Sequence, residues 1–154
     1  MEEFVPKENL GQHFLVDKHI LEKEISVAEL SKDDKVIEVG AGRGFLTEEL
    51  VKKSKEVLAF EIDEELSDFL DALEKKHDNL KIVYDDALKS SWKGYNKLVS
   101  NIPYHLSEAI IMKAIDSGID EIVLIVGENF KRLIEEDKEK VGIIVNVFFD
   151  FESI

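Results

Sequence analysis

No cysteine occurs in the 154 residues, which excludes disulfides, thiolate metal sites and cysteine nucleophiles. A chain without cysteine suits the cytosol, and a cytoplasmic protein is expected. Proline is confined to Pro6 and Pro103, and arginine to Arg43 and Arg132. Every other cation is lysine, so guanidinium forks that could grip phosphate are scarce. No apolar run approaches the length of a bilayer span, and the acidic start MEEFVPKEN is unlike a signal peptide. No membrane partner is expected. Repeats, low-complexity tracts and linkers are lacking as well.

What remains is an ordinary globular composition, 44% hydrophobic and 35% charged, with room for one domain over residues 1–154 and one sizeable core. The net charge of −14 sets up long-range repulsion toward any partner made of phosphates. The many lysines argue against a halophile's surface, and an acidic surface that favours solubility is the plain explanation.

Strand-like and helix-like segments alternate. Ile20, Leu21, Ile25 and Ala28 recur at helical spacing, which predicts an amphipathic helix over 17–30. Strands are expected at 35–40, 56–63, 81–87, 97–100, 121–126 and 141–151. Helices are expected at 45–54, 64–77, 107–117 and 129–140. This alternation implies an α/β fold with a mostly parallel, doubly wound sheet. Ligands of such sheets lie beyond the carboxyl ends of the strands, where strand order switches.

Those ends carry the candidate chemistry. Gly40, Gly42 and Gly44 stand between a strand and a helix, where glycine permits a tight turn and close approach of a ligand. The spacing is G-x-G-x-G, and Phe45 takes the third-glycine position of the dinucleotide fingerprint, which disfavours a nicotinamide pyrophosphate. A purely structural turn is the alternative. Glu61 falls about 20 residues on, where a carboxylate can accept both hydroxyls of a ribose; NAD and S-adenosylmethionine both carry one. Asp86 could accept from an adenine amino group, with Asp85 pointing the other way.

The segment Asn101-Ile102-Pro103-Tyr104 is the sharpest. An adenine amino group is a weak nucleophile because its lone pair is delocalised into the ring. The Asn101 oxygen and a backbone carbonyl near Ile102 could take its two hydrogens, while Tyr104 stacks on the ring. Pro103 would hold the parts rigid, and a bland Asn-x-Pro turn is the competing reading. His105 is expected to pack, and His19 and His77 to be solvated. Trp92 and Tyr95 are expected to cover the core.

Taken together, LGQHFL (10–15), VIEVGAGRGFLTEEL (36–50), FEID (60–63), DDAL (85–88) and NIPYHLSEAII (101–111) resemble the ribosomal RNA adenine dimethylase family, archaeal KsgA-type enzymes included. The resemblance runs from about Leu10 to the last strand. It implies a Rossmann-like S-adenosylmethionine-dependent methyltransferase fold and methyl transfer to an adenine amino nitrogen of ribosomal RNA. It also implies that His13 and Leu15 close over the cofactor and that Gly40, with Gly42 in the same turn, faces its methionine part. Glu61 would face the ribose, Asp86 the adenine, and Asn101 both cofactor and target amine. No metal is implied. Departures are expected to affect RNA more than cofactor: the family's final strand and C-terminal helical RNA-binding domain are expected to be missing. Val126-Gly127-Glu128 and Val141-Gly142-Ile143 replace the usual Gln-Lys-Glu and Tyr-Gly-Arg. A cofactor-binding relative acting in ribosome assembly, a methyltransferase for a non-RNA substrate and self-association through the last strand stay open.

Overall fold

Val36 and Ile37 are neighbours on one strand, so they face opposite sides of it, and both are completely buried. The sheet must therefore be covered on both faces, as parallel sheets are. The computed structural model describes residues 18–102, 104–126 and 144–149. In it α1 (Lys18–Ala28), β1 (Lys35–Val39), α2 (Phe45–Lys53), β2 (Glu56–Phe60) and α3 (Ser67–Lys76) lead to β3 (Leu80–Val83). Next come β4 (Lys97–Asn101), α4 (Ser107–Asp116), β5 (Glu121–Val126) and β6 (Ile144–Phe149).

The strand order is β3-β2-β1-β4-β5-β6, and every pairing is parallel. The expected parallel Rossmann-like sheet is therefore present. On one face, Val36, Val57, Ala59, Val99 and Val123 pack with Ile25 and Ala28 of α1, Leu46 and Leu50 of α2, and Leu70 of α3. On the other, Ile37, Leu58, Leu98, Ile122 and Leu124 pack with Trp92 and with Ile110, Ile111 and Ala114 of α4.

At the opposite edge from the strand ends, Asn96 ties the start of β4 to that of β1. Its Oδ1 accepts from the Lys35 amide at 2.7 Å, and its Nδ2 donates to Asp34 Oδ1 at 2.8 Å. Lys97 Nζ lies 3.3 Å from Asp34 Oδ2 and donates to the Ala28 carbonyl at 2.7 Å. Burial works against the charge on Asp34, but Asn96, the Ser31 amide and Lys97 together hold its carboxyl below the usual range.

Two expected strands prove shorter. The second ends at Phe60, so Glu61 to Asp63 leave the sheet and lead into a 3-10 turn, Glu64–Leu66. The third ends at Val83, which places Asp85 and Asp86 in a turn. Asp63 and Asp86 explain both exits: each carboxylate caps its turn, from the Glu65 amide at 3.0 Å and the Leu88 amide at 2.9 Å, as aspartate does at helix starts. The expected helix over 129–140 lies outside the described residues, and the last strand is described over Ile144–Phe149.

Candidate active site

The switch in strand order falls between β1 and β4, whose neighbours run outward in opposite directions. The paired register of β1 with β2 continues to Val39↔Phe60, whereas that of β1 with β4 stops at Ile37↔Leu98. Beyond it the Ser100 hydroxyl accepts from the Val39 amide at 2.9 Å and donates to the Val39 carbonyl at 2.6 Å. The ladder thus loosens at the carboxyl ends, on a seam where such sheets bind their ligands.

The glycine turn stands at this seam. Gly40, Gly42 and Gly44 have φ of 78°, 59° and 86°, a backbone region that side chains disfavour. Gly40 and Ala41 both donate to the Phe60 carbonyl, at 2.8 and 3.0 Å, which folds the turn over the end of β2. At Gly44 a Cβ would also stand 3.0 Å from Leu73 Cδ2. The third glycine therefore lets α2 begin against α3.

Glu61 is latched to the same turn. Its Oε1 accepts from the Gly42 amide at 2.8 Å, and its Oε2 from the Asp63 amide at 3.0 Å. The side chain is buried. Burial raises its pKa, and the two amide bonds oppose that rise. Each carboxylate oxygen keeps a second acceptor direction, so two further donors can be received side by side. Ile62, between Glu61 and Asp63, is 59% exposed.

Behind the turn, Glu38 of β1 is buried and accepts from Thr47 Oγ1 of α2 at 2.5 Å. Burial pushes its carboxyl up from 4.5 to about 8, against the Thr47 hydrogen bond and with help from the charge of Glu61. Glu24 of α1 is completely buried, and neither carboxyl oxygen has a hydrogen-bond partner among the described residues. Burial, then the nearby Glu38, raise its pKa well above the ordinary value. Neutral carboxyls are the stable form of such groups.

Most expected positions converge on this edge. Asp86 is half-buried and its neighbour Asp85 is exposed; strand alternation is not the cause, because both lie in the turn after β3. Asn101 closes β4 half-buried, and Ile102 is buried in the cluster beneath α4. Tyr104 begins a 3-10 turn, Tyr104–Leu106, that runs into α4. His13, Leu15 and Pro103 lie outside the described residues. His105 is exposed rather than packed, because it projects from that turn away from Ile102 and Ser107, which are buried on either side. His77 is half-buried with its Nε2 enclosed, not solvated. Among the described residues no group of His, Asp and Glu is arranged to hold a metal, and no helix is long and apolar enough to cross a membrane.

Sequence reasoning passed over Ser100, Thr47 and Glu24. Glu24 left a trace: it lies three residues from Leu21 and four from Ala28, inside the apolar stripe of α1, where a charge is out of place.

The motif order and this geometry agree with a comparison against known families. The model of the ribosomal RNA adenine dimethylase family matches residues 4–154. The chain belongs to this family. A relative from Pyrococcus abyssi (strain GE5 / Orsay), named probable ribosomal RNA small subunit methyltransferase A, is 42% identical over 119 residues. That match covers 77% of this chain and 44% of the relative. Among solved structures, the 23S rRNA methyltransferase ErmE superposes with a TM-score of 0.72 at 30% identity, over 78% of this chain and 50% of that one. A dimethyladenosine transferase from Plasmodium falciparum gives 0.72 at 29%, over 80% and 46%. The chain spans about half the length of the curated relatives it matches. The stretch matched by the dimethylase family model takes in the glycine turn and the four strand ends.

Proposed function

We propose that this chain binds S-adenosylmethionine at the seam between β1 and β4 and directs a methyl group onto the exocyclic amino nitrogen of an adenine in ribosomal RNA. The observation that carries the proposal is the latch between Glu61 and Gly42. It fixes a diol acceptor against a glycine turn, in a chain of this family, beside the strand that ends in Asn101.

The residues suit that cofactor. Glu61 has two acceptor directions left for the ribose hydroxyls. The Gly40–Gly42 backbone offers a face without side chains for the methionine part. Asp86, in the turn that follows β3, would accept from the adenine amino group. His13 and Leu15 would close over the bound molecule. S-adenosylmethionine, when bound, supplies a methyl group on a positively charged sulfur.

The protein's own contribution is mainly orientation. The Asn101 side-chain oxygen and the Ile102 carbonyl would accept the two amine hydrogens, which draws the nitrogen lone pair out of ring conjugation and toward the methyl. Tyr104 would hold the ring face, and Pro103 the spacing. The target base leaves its stack to arrive there, as bases do in nucleic-acid methyltransferases. The bound cofactor would supply the methyl and keep the carbon–sulfur electron pair on its sulfur, while Asn101 and the Ile102 carbonyl hold the amine whose proton would pass to solvent. Ribosomal RNA, within the small ribosomal subunit, is the proposed partner, and the cytoplasm the proposed location.

The test is transfer of labelled methyl from S-adenosylmethionine to undermethylated small ribosomal subunits. Asn101→Ala should lower the rate by about a hundredfold or more, the scale of losing one aligned polar group at a reacting centre, with cofactor affinity changed far less. Unchanged turnover would remove Asn101 from the amine site.

A further inference from the structure

The turn that carries Asp86 is gripped from outside by two side chains that take no part in the site above. Asp86 Oδ1 accepts from the Leu88 amide at 2.9 Å, and the Asp86 carbonyl accepts from the Lys89 amide at 3.1 Å. The next two carbonyls are held by side chains. The Trp92 indole donates to the Ala87 carbonyl at 3.1 Å, and Lys113 Nζ of α4 donates to the Leu88 carbonyl at 3.3 Å. Lys113 Nζ also lies 5.8 Å from the centroid of the Trp92 ring, a cation over an aromatic face. Trp92 is 1% exposed and stacks on Phe60 with 6.5 Å between centroids. Phe60 is the residue whose carbonyl receives Gly40 and Ala41.

One connected path therefore runs from the glycine turn through Phe60 and Trp92 to the Asp86 turn, and from there through Lys113 into α4. That helix follows directly on the segment holding Asn101. The Asp86 carboxylate takes its direction from the Leu88 amide, so its aim follows wherever the Ala87–Leu88 backbone is held. Its value as an acceptor depends on placement within a few tenths of an ångström, since hydrogen bonds weaken steeply with angle. Two carbonyls pinned by a buried indole and an ammonium supply that placement.

We propose that Lys113 and Trp92 are positioning residues that aim Asp86, and thereby set the preference for a purine bearing a 6-amino rather than a 6-oxo group. The inference rests on the assignment of Asp86 to the adenine amino group. A carboxylate accepts from an amino group and repels a carbonyl oxygen at the same place, so aim converts directly into discrimination.

The experiment uses the full chain and two probes, S-adenosylhomocysteine and its 6-oxo analogue S-inosylhomocysteine, with Kd measured by calorimetry. The wild type should prefer the amino compound by about tenfold or more, the scale of one charge-assisted hydrogen bond. Lys113→Met should shrink that ratio to about threefold or less by weakening the amino compound alone, and Lys113→Arg should restore it. Trp92→Phe, which keeps an aromatic ring of smaller size and loses the N–H, should act in the same direction. Thermal unfolding of each variant shows whether it folds. Variants that melt lower yet keep the wild-type ratio would overturn the inference, because the two residues would then only support the loop. A wild type that binds both probes equally overturns the assignment of Asp86 and this inference with it. Failure to bind either probe would sink the cofactor reading itself.

Discussion

One hydroxyl on Ser100 satisfies both backbone groups of Val39, accepting from its amide at 2.9 Å and donating to its carbonyl at 2.6 Å. Both residues are buried, so no water replaces a lost bond. Ser100→Ala should therefore destabilise the fold by about 1–3 kcal/mol, the cost of leaving buried polar groups unpaired. It should also weaken S-adenosylmethionine binding, since the glycine turn begins one residue later. Urea unfolding and calorimetry would read the two effects; a stability within about 0.5 kcal/mol of wild type would contradict the assignment.

Gly44 combines a φ of 86° with a Cβ position 3.0 Å from Leu73 Cδ2. Alanine there meets backbone strain of about 1–2 kcal/mol together with a side-chain clash. Gly44→Ala should lower the melting temperature by several degrees, and Leu73→Ala should relieve part of that loss when the two changes are combined. Additive effects would show that the contact is irrelevant.

Glu24 spends its carboxyl where the α1 stripe needs an apolar side chain. Replacing it with leucine removes a buried polar group that has no hydrogen-bond partner among the described residues, at similar volume. Glu24→Leu should stabilise the protein at pH 7 by about 1–3 kcal/mol, measured by urea unfolding. A loss of stability would mean that the carboxyl has a function in the folded chain.

Stability should also depend on pH, in a direction set by the buried acids. Glu38, raised from 4.5 to about 8, Glu24 and Glu61 all hold their protons more tightly in the folded chain. Below pH 4.5 Glu38 is protonated in both states and contributes no difference. As pH rises above that value the unfolded chain releases the proton first, so stability falls, by up to about 1.4 kcal/mol per pH unit for each group. For Glu38 the decline ends near pH 8. Asp34 and Glu56, whose carboxyls sit below their usual range, act the other way: the stability they add is lost as pH falls into acid. Between pH 5 and 8 the raised acids dominate. Urea midpoints should drop across that window, and less so in Glu38→Gln; an identical slope in the variant would exclude Glu38 as a source.

Much of this was readable in advance. The alternation of apolar segments gave the parallel sheet, because a strand buried on both faces has to be apolar throughout, as VIEV and KLVS nearly are. The contact of Glu61 with the glycine turn was legible from its distance to the glycines, whereas Asp85 and Asp86 differ in exposure inside a turn, where the two-residue strand period does not apply. Strand ends were harder. Asp63 and Asp86 cap turns, and a capping bond competes locally with the ladder, so EVLAFEID and KIVYDDA read longer than they are. Side chains acting across the fold, such as Ser100 on Val39 or Lys113 on Leu88, depend on tertiary proximity that no local spacing encodes. His105 misled for a related reason: its exposure follows from the phase of a 3-10 turn, not from its neighbours' polarity.

The seam between β1 and β4 has one more consequence. Strands β1 to β3 come from residues 35–83, and β4 to β6 from 97–149, so the sheet consists of two consecutive halves joined where the register stops early. Neither half alone contains the seam; it exists only once the halves have met. A small molecule lodged there would act as a staple between them. Amide hydrogens of Val39 and its neighbours should then exchange with deuterium more slowly on saturation with S-adenosylmethionine, while those at the outer edge of β3 keep their pace.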